Sequence, residues 1–139
     1  MAAWAAKVER IISEPPGSDE GLSPESIERE SKVTFAKFST WAIICEEVLD
    51  TQFARVYFER AREELHARGI TDSEITEMRR FAWLTAGWLN FERSLWEWCN
   101  LDELDIYRAI EWQYADDYIA AAERDRRLRY ARSYDRAVP

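Results

Sequence analysis

A single carboxylate lies within the most tryptophan-rich part of the chain. Four of the seven tryptophans fall between Phe81 and Asn100, in the segment FAWLTAGWLNFERSLWEWCN. At helical spacing, Glu92 lies four residues from Trp88 and from Trp96. Desolvation by such neighbours raises the pKa of a carboxyl group unless a cation or hydrogen-bond donors satisfy it. Glu92 is therefore a candidate binding residue, although a structural acid that accepts bonds from an arginine or from indole N–H groups fits the same pattern.

Glu111 has similar surroundings in the next helical segment. It shares a face with Tyr107 and Tyr114, and close packing of the two segments would bring it near Glu92. Aromatic faces that carry one or two carboxylates suit a small organic cation, through cation–π attraction and charge pairing. The predicted ligand site consists of Glu92, Trp88, Trp96, Glu111, Tyr107 and Tyr114. The alternative is an ordinary core, which is what aromatic stripes on helices usually form.

The single histidine, His66, indicates a second kind of chemistry. Glu63 precedes it at the Glu-x-x-His spacing and Glu59 lies one turn earlier, a spacing that helical di-iron sites use. A complete two-metal site needs a second such motif and further acids, which a chain with one histidine does not supply. Glu59, Glu63 and His66 are therefore a weak alternative metal site. A solvated helix end is favoured, with His66 near the C-terminus, and no cofactor is predicted.

Composition restricts the class of protein. The 139 residues fit one ordinary domain, and 47% hydrophobic with 33% charged residues predict a folded, soluble chain. The longest uncharged apolar run, Phe81 to Phe91, is too short for a membrane helix, and the N-terminus is a poor signal peptide, so a cytoplasmic location is expected. The net charge of −8 disfavours nucleic acid as a partner. Cys45 and Cys99 lack a CxxC pair and are expected to be reduced core residues.

Proline and glycine mark the segment limits in the N-terminal half. Residues 1–12 place Trp4 and Val8 on one helical face and predict a short arm, and residues 13–22 form a linker. Ser23 is a candidate N-cap, with Pro24 at the first helical position. No glycine or proline follows until Gly69. Residues 24–68 therefore predict one helix, or two if the phase change of the apolar stripe near residues 50–57 marks a break.

Two further helices are predicted downstream. Thr71 and Glu74 have the spacing of a capping box at the start of the third helix, which extends to about Cys99, and Asn100 and Glu103 repeat that spacing at the start of the fourth. Short connections between long helices imply antiparallel neighbours. The predicted fold class is all-α. It is a single domain over residues 1–139, in which an antiparallel bundle of three long helices (23–139) with a basic end follows the arm and linker.

No catalytic motif is present, so we expect a small non-enzymatic helical protein that acts through protein–protein contacts. Thirteen Trp and Phe residues exceed what three thin helices easily cover, and a second subunit is the simplest cover, which predicts a homo-oligomer. Because the chain is acidic, a protein partner with a basic surface is also possible. The alternatives are an organic cation bound by Glu92 and Glu111, and a metal bound by Glu59, Glu63 and His66.

Overall fold

The computed structural model of the protein describes residues 1–49, 53–93 and 101–134. Within these ranges the chain is helical and contains no strand, which confirms the all-α prediction. The elements are α1 (Ala2–Ile12), α2 (Pro24–Ser31), α3 (Thr40–Leu49), α4 (Arg55–Ala67), α5 (Asp72–Ala82), a π-helical segment (Trp83–Glu92) that follows α5 directly, α6 (Glu103–Ala115) and α7 (Ala121–Ser133). No helix in the described ranges has both the length and the apolar character needed to cross a bilayer.

The predicted N-terminal arm, α1, is part of the core. It spans the predicted residues, and Trp4, Val8 and Ile12 are buried. The indole Nε1 of Trp4 donates a 2.8 Å hydrogen bond to the backbone oxygen of Trp83. Since a buried indole N–H needs an acceptor, this bond fixes α1 against the π-helical segment. The linker then leads to α2, where Ser23 is the N-cap and Pro24 lies in the first turn, as predicted.

The segment predicted as one or two helices between residues 24 and 68 contains three. An irregular stretch separates α2 from α3, and it ends at Ser39, whose Oγ accepts a 3.2 Å bond from a backbone N–H in the first turn of α3. The guanidinium of Arg68 donates to the backbone oxygens of Phe35 and Phe38, over 3.2 and 2.7 Å. These bonds satisfy carbonyl groups that a helix would otherwise pair internally. The prediction of a continuous helix was wrong here. The break was not visible in the local sequence because the donor, Arg68, lies 30 residues downstream of Phe38.

The break between α3 and α4 falls where the apolar stripe changes phase. α3 ends at Leu49 and α4 begins at Arg55, with Ala54 as its N-cap. Residues 50–52 lie outside the described residues. The helices are therefore shorter than the three long ones that were predicted, and the chain turns more often between them.

The third predicted helix changes its hydrogen bonding halfway. Its capping box, Thr71 with Glu74, is confirmed, but α-helical bonding ends at Ala82 and π-helical bonding continues to Glu92. The backbone oxygen of Leu84 accepts a 2.8 Å bond from Nε2 of Gln113, as that of Trp83 does from Trp4. Side chains that reach into a backbone ladder are one cause of such local changes in helices. The prediction of an α-helix was thus wrong over residues 83–92, while its end at Cys99 lies outside the described residues.

The fourth predicted helix is two helices joined by a tight turn. α6 ends in a Schellman motif, in which the N–H of Tyr118 donates to the oxygen of Gln113 over 2.8 Å and the N–H of Asp117 to that of Tyr114 over 3.1 Å. Asp117 has a φ of +61°, a conformation that glycine adopts most readily. Aspartate tolerates it better than most residues do, but gives only a weak sequence signal for a helix end. A continuous fourth helix was therefore predicted wrongly.

The N-cap of α6 is also not the residue that spacing predicted. Asp102 caps the helix, and its side chain and that of Asp105 form a reciprocal capping box. Both pairs have the spacing of a capping box, so the pattern alone does not choose between them. Asn100 lies outside the described residues.

One hydrophobic core draws on every α-helix except α2, which has no buried residue. Trp4, Trp41, Trp83 and Trp88 are each at most 5% exposed. Among the tryptophans of the described ranges, Trp112 is the exception, with 43% exposure. Four of the five tryptophans that the structure describes are therefore covered by the chain's own helices.

Candidate functional site

Glu92 lies at the surface rather than among indole rings. It is the last residue of the π-helical segment, and its side chain is exposed. The prediction extended this helix to about Cys99, with Glu92 in its interior, but the helical segment ends at Glu92. Trp88 is buried, and Trp96 lies outside the described residues. Glu92 is therefore exposed at a helix end, and the desolvation that was expected of it was wrong.

A guanidinium group lies where an organic cation was expected. The Cζ atom of Arg93 is 5.7 Å from the ring centroid of Trp88 and 5.2 Å from that of Trp112. Its Nη2 atom is 2.9 Å from Oδ2 of Asp116, and the ring of Tyr118 meets Trp88 edge-on at 5.8 Å. We call these five residues the Arg93 cluster. The cluster joins the end of the π-helical segment to the C-terminal end of α6.

Glu111 and Tyr114 take part in a second arrangement of the same kind. The Nε atom of Arg124 lies 3.0 Å from Oε1 of Glu111, and its Cζ atom lies 5.0 Å from the ring centroid of Tyr114. Tyr107 packs against Arg132, whose Cζ atom is 5.9 Å from the ring centroid. Aromatic rings, carboxylates and cations are therefore combined as the sequence indicated. The cations, however, are arginines of the chain itself.

The outward side of α6 carries large exposed apolar groups between these arrangements. Leu104 is 65% exposed and Trp112 is 43% exposed. Arg108, Glu111 and Ala115 are also exposed, and the spacing of these five residues places them on one side of the helix. We call this set the α6 outer face. Large exposed apolar groups on the same helical side as arginine are common at interaction surfaces.

The three residues of the alternative metal site do not converge on one point. Glu59 and Glu63 are exposed, and Nε2 of His66 lies 2.7 Å from Oδ1 of Asp72 instead. In the part of the chain that the structure describes, no group of three or more His, Cys, Asp or Glu side chains is arranged to hold a metal ion. The Glu-x-x-His spacing therefore gives neighbours on one helix without the further ligands that a site needs.

A buried carboxylate that the sequence pattern did not single out is that of Glu47. Its Oε1 and Oε2 atoms accept bonds from Nε and Nη2 of Arg79, over 2.7 and 3.0 Å, and Oε2 also accepts a 2.7 Å bond from Nε1 of Trp83. Both charged side chains are at most 10% exposed. The available signal was a charge inside the apolar run of α3. A buried charge of this kind requires a partner elsewhere in the fold.

A cavity of about 450 Å³ lies beside this ion pair, between α3, α4 and α5. The linker residues Pro15 and Pro16 form part of its wall. Of the residues predicted for the metal site, Glu59 lines the cavity. None of the described residues predicted for the organic-cation site lines it. Its volume is within the usual range for small-molecule sites.

Comparison with known proteins provides no relative for this chain. No protein-family model, curated protein or solved structure matches it. The α6 outer face and the cavity are therefore the features from which a function can be inferred.

Proposed function

We propose that the protein acts through protein–protein contacts made by the α6 outer face. The main support for this proposal is that Leu104 and Trp112 are exposed on one side of α6, whereas Ile106 and Ile110 on its other side are completely buried. An amphipathic helix that is already anchored in the core has no need of large apolar groups on its solvent side. Tryptophan and arginine, which meet at this face, are the residue types that most often dominate binding energy at interfaces.

The Arg93 cluster favours binding because it holds an interface ring in place before a partner arrives. The guanidinium of Arg93 lies against both Trp88, which is buried, and Trp112, which is exposed. The ion pair with Asp116 fixes the same guanidinium from the side. A side chain that is already ordered loses less conformational entropy on association. Trp112 is therefore a suitable anchor residue.

A second copy of the chain is the partner that the charges of this surface favour. Arg93, Arg108 and Arg124 lie on or beside the α6 outer face, and so do the acids Glu111 and Asp116. In a two-fold interface the same patch must complement itself, which requires groups of both signs. A strongly basic partner would instead be attracted to the acidic remainder of the chain, whose net charge is −8. We therefore propose a homo-oligomer.

Molar mass by light scattering, measured over protein concentrations up to about 0.5 mM, tests this proposal. Wild type is expected to associate, and Leu104→Glu is expected to remain a monomer because it replaces an apolar side chain of the contact with an uncompensated charge. The matched control is Ala3→Glu, which places the same charge at an exposed position of α1, a helix that packs on α5 and the π-helical segment. This control should associate like wild type.

Two results would contradict self-association through this face. One is a wild-type protein that remains monomeric over the whole concentration range. The other is a Leu104→Glu variant that associates to the same molar mass as wild type. Far-UV circular dichroism of each variant separates loss of contact from loss of fold, since Leu104 is mostly solvated and its replacement should leave the helical signal intact.

The organic-cation site and the metal site predicted from the sequence are alternatives to this proposal. An organic cation at Glu92 and Glu111 would compete with Arg93 and Arg124 for the same aromatic faces. Metal binding by Glu59, Glu63 and His66 would need ligands from outside the described residues or from another chain. We also propose an antiparallel arrangement of neighbouring helices, from the short connections, and a cytoplasmic location, from the composition.

A further inference from the structure

The cavity between α3, α4 and α5 has an apolar interior. Its lining includes Ile43 and Ile44 from α3, Ala61 and Leu65 from α4, and Ile75 from α5. Each of these three helices therefore contributes at least one apolar side chain. Sites for small molecules are usually of this kind, with a few polar groups that orient the ligand. The apolar body of a ligand would replace water in contact with these side chains.

The walls of the cavity are fixed by contacts that leave it open. The ion pair of Glu47 with Arg79 joins α3 to α5, and Nη2 of Arg79 also donates a 3.3 Å bond to the backbone oxygen of Glu14 in the linker. At Gly17 the linker packs so closely on α4 that a Cβ atom would lie 2.5 Å from the ring of Phe58. The cavity is therefore largely formed before a ligand enters, which lowers the cost of binding.

Some of the charged side chains that line the cavity already have a partner, and others do not. Glu47 is satisfied by Arg79, and Asp72 lies 2.7 Å from His66. Arg55 and Arg62 line the cavity from α4, are exposed, and form no ion pair with any described residue. Glu59, which lies between them on the same helix, supplies one carboxylate. The lining thus holds three guanidinium groups and three carboxylates, because a neutral imidazole does not cancel the charge of Asp72. Arg55 and Arg62 stand out because they are the guanidinium groups of this lining without an ion pair to a described residue.

We propose that this cavity binds a small amphipathic carboxylate. The apolar part lies against Ile43, Ile44 and Leu65, and the carboxylate is held by Arg55 and Arg62. Guanidinium groups bind carboxylates through paired, charge-assisted hydrogen bonds, and two of them favour an anion over an alcohol or an ammonium group of the same length. Screening at physiological salt, over about 8 Å, limits repulsion from acids elsewhere on the chain. This site is independent of the α6 outer face.

Calorimetric titration of the full chain with decanoate tests the proposal, with decanol and decylammonium as matched probes. Decanoate is expected to bind, and the two other probes to bind at least about tenfold more weakly. The double variant Arg55→Glu/Arg62→Glu should weaken decanoate binding by at least about tenfold for the same reason. Arg129→Glu is the control, since Arg129 is an exposed residue of α7 that does not line the cavity, and it should bind like wild type.

A second variant tests the cavity itself without changing any charge. Ala61→Met places a longer apolar side chain in the cavity and should reduce decanoate affinity while the helical circular dichroism signal is retained. The proposal is overturned if decanoate shows no binding up to about 1 mM, or if decanol or decylammonium binds as tightly as decanoate. Unchanged affinity in the charge-reversed double variant overturns it as well.

Discussion

Glu47 and Arg79 form a buried bidentate ion pair that connects α3 to α5. The Nε and Nη2 atoms of Arg79 donate over 2.7 and 3.0 Å, and Nε1 of Trp83 donates a third bond of 2.7 Å to the same carboxylate. Burying two charges is costly, and the cost is offset only where the remaining donors and acceptors are also satisfied. Here the carboxylate has three donors. The pair therefore acts as a specific joint between two helices and the start of the π-helical segment.

Removal of one partner of this pair should destabilise the protein strongly. Glu47→Leu leaves the guanidinium of Arg79 buried without its counter-charge, and we expect a loss of about 3–5 kcal/mol in the free energy of unfolding. The double variant Glu47→Leu/Arg79→Met should recover much of that loss. It should remain about 1–3 kcal/mol below wild type, because the indole N–H of Trp83 loses its acceptor.

Urea denaturation followed by circular dichroism measures these differences. Glu9→Leu is the control, since Glu9 is 59% exposed and pairs with Arg80 at the surface. Its effect should stay within about 1 kcal/mol. A single Glu47→Leu variant as stable as this control would show that the pair contributes no more than a surface ion pair.

The turn between α6 and α7 should be sensitive to the residue at position 117. Asp117 has a φ of +61°, which β-branched residues adopt only under strain. Asp117→Val is expected to lower the free energy of unfolding by about 1–3 kcal/mol, whereas Asp117→Gly should be neutral or stabilising by less than about 1 kcal/mol. Thermal unfolding of both variants measures the difference.

Asp125→Val is a suitable control for this turn. It introduces the same side chain at an exposed helical position of α7, where the cost should be below about 1 kcal/mol. Equal destabilisation by Asp117→Val and Asp125→Val would mean that valine's helix propensity, and not the left-handed backbone, causes the loss.

Two carboxyl groups should give stability opposite dependences on pH. The hydrogen bond from Arg126, with a further one from Arg127, lowers the pKa of Glu123 from 4.5 to about 2. Because the folded pKa lies below the unfolded one, the stabilisation is complete above pH 4.5 and is lost as the pH falls toward 2. Glu123→Gln should therefore flatten the loss of stability in this acidic range, measured as urea midpoints at several pH values.

Glu46 provides the contrasting case. Burial raises its pKa above 4.5, partly opposed by the hydrogen bond from Tyr57. A carboxyl group whose folded pKa is raised makes the folded state less favourable as the pH rises above 4.5. Glu46→Gln should increase stability at neutral pH relative to acidic pH, opposite in sign to Glu123→Gln. A change of the same sign for both variants would contradict the assignment of burial as the main cause at Glu46.

Local features of the fold were predictable because their causes are local. The N-caps Ser23 and Thr71 satisfy backbone N–H groups two or three residues away, so their spacing is visible in the sequence. The face of α1 that carries Trp4 and Val8 was likewise evident from periodicity. The end of α2 was not, since Nε of Arg60, in α4, donates a 2.6 Å bond to the backbone oxygen of its last residue.

The candidate site was predictable in its chemistry but not in its arrangement. The sequence indicated aromatic rings with carboxylates near Glu92 and Glu111, and such combinations are present around Arg93 and Arg124. The prediction continued the helix past Glu92 and placed it among the rings, whereas the π-helical segment ends at Glu92 and leaves its side chain exposed. The arginines that occupy the aromatic faces come from other segments, and no spacing rule connects them to those rings.

By itself, the sequence determined the helical fold class, the first turn of several helices and the acidic, aromatic-rich character of the chain. Those properties depend on periodicity, capping and composition, which act over a few residues. Tertiary structure alone decided that Glu47 rather than Glu92 is buried, and that arginines lie against the rings of Trp112 and Tyr114. It also decided that a cavity opens between α3, α4 and α5. Each of these depends on donors, charges and packing surfaces that folding brings together from distant parts of the chain.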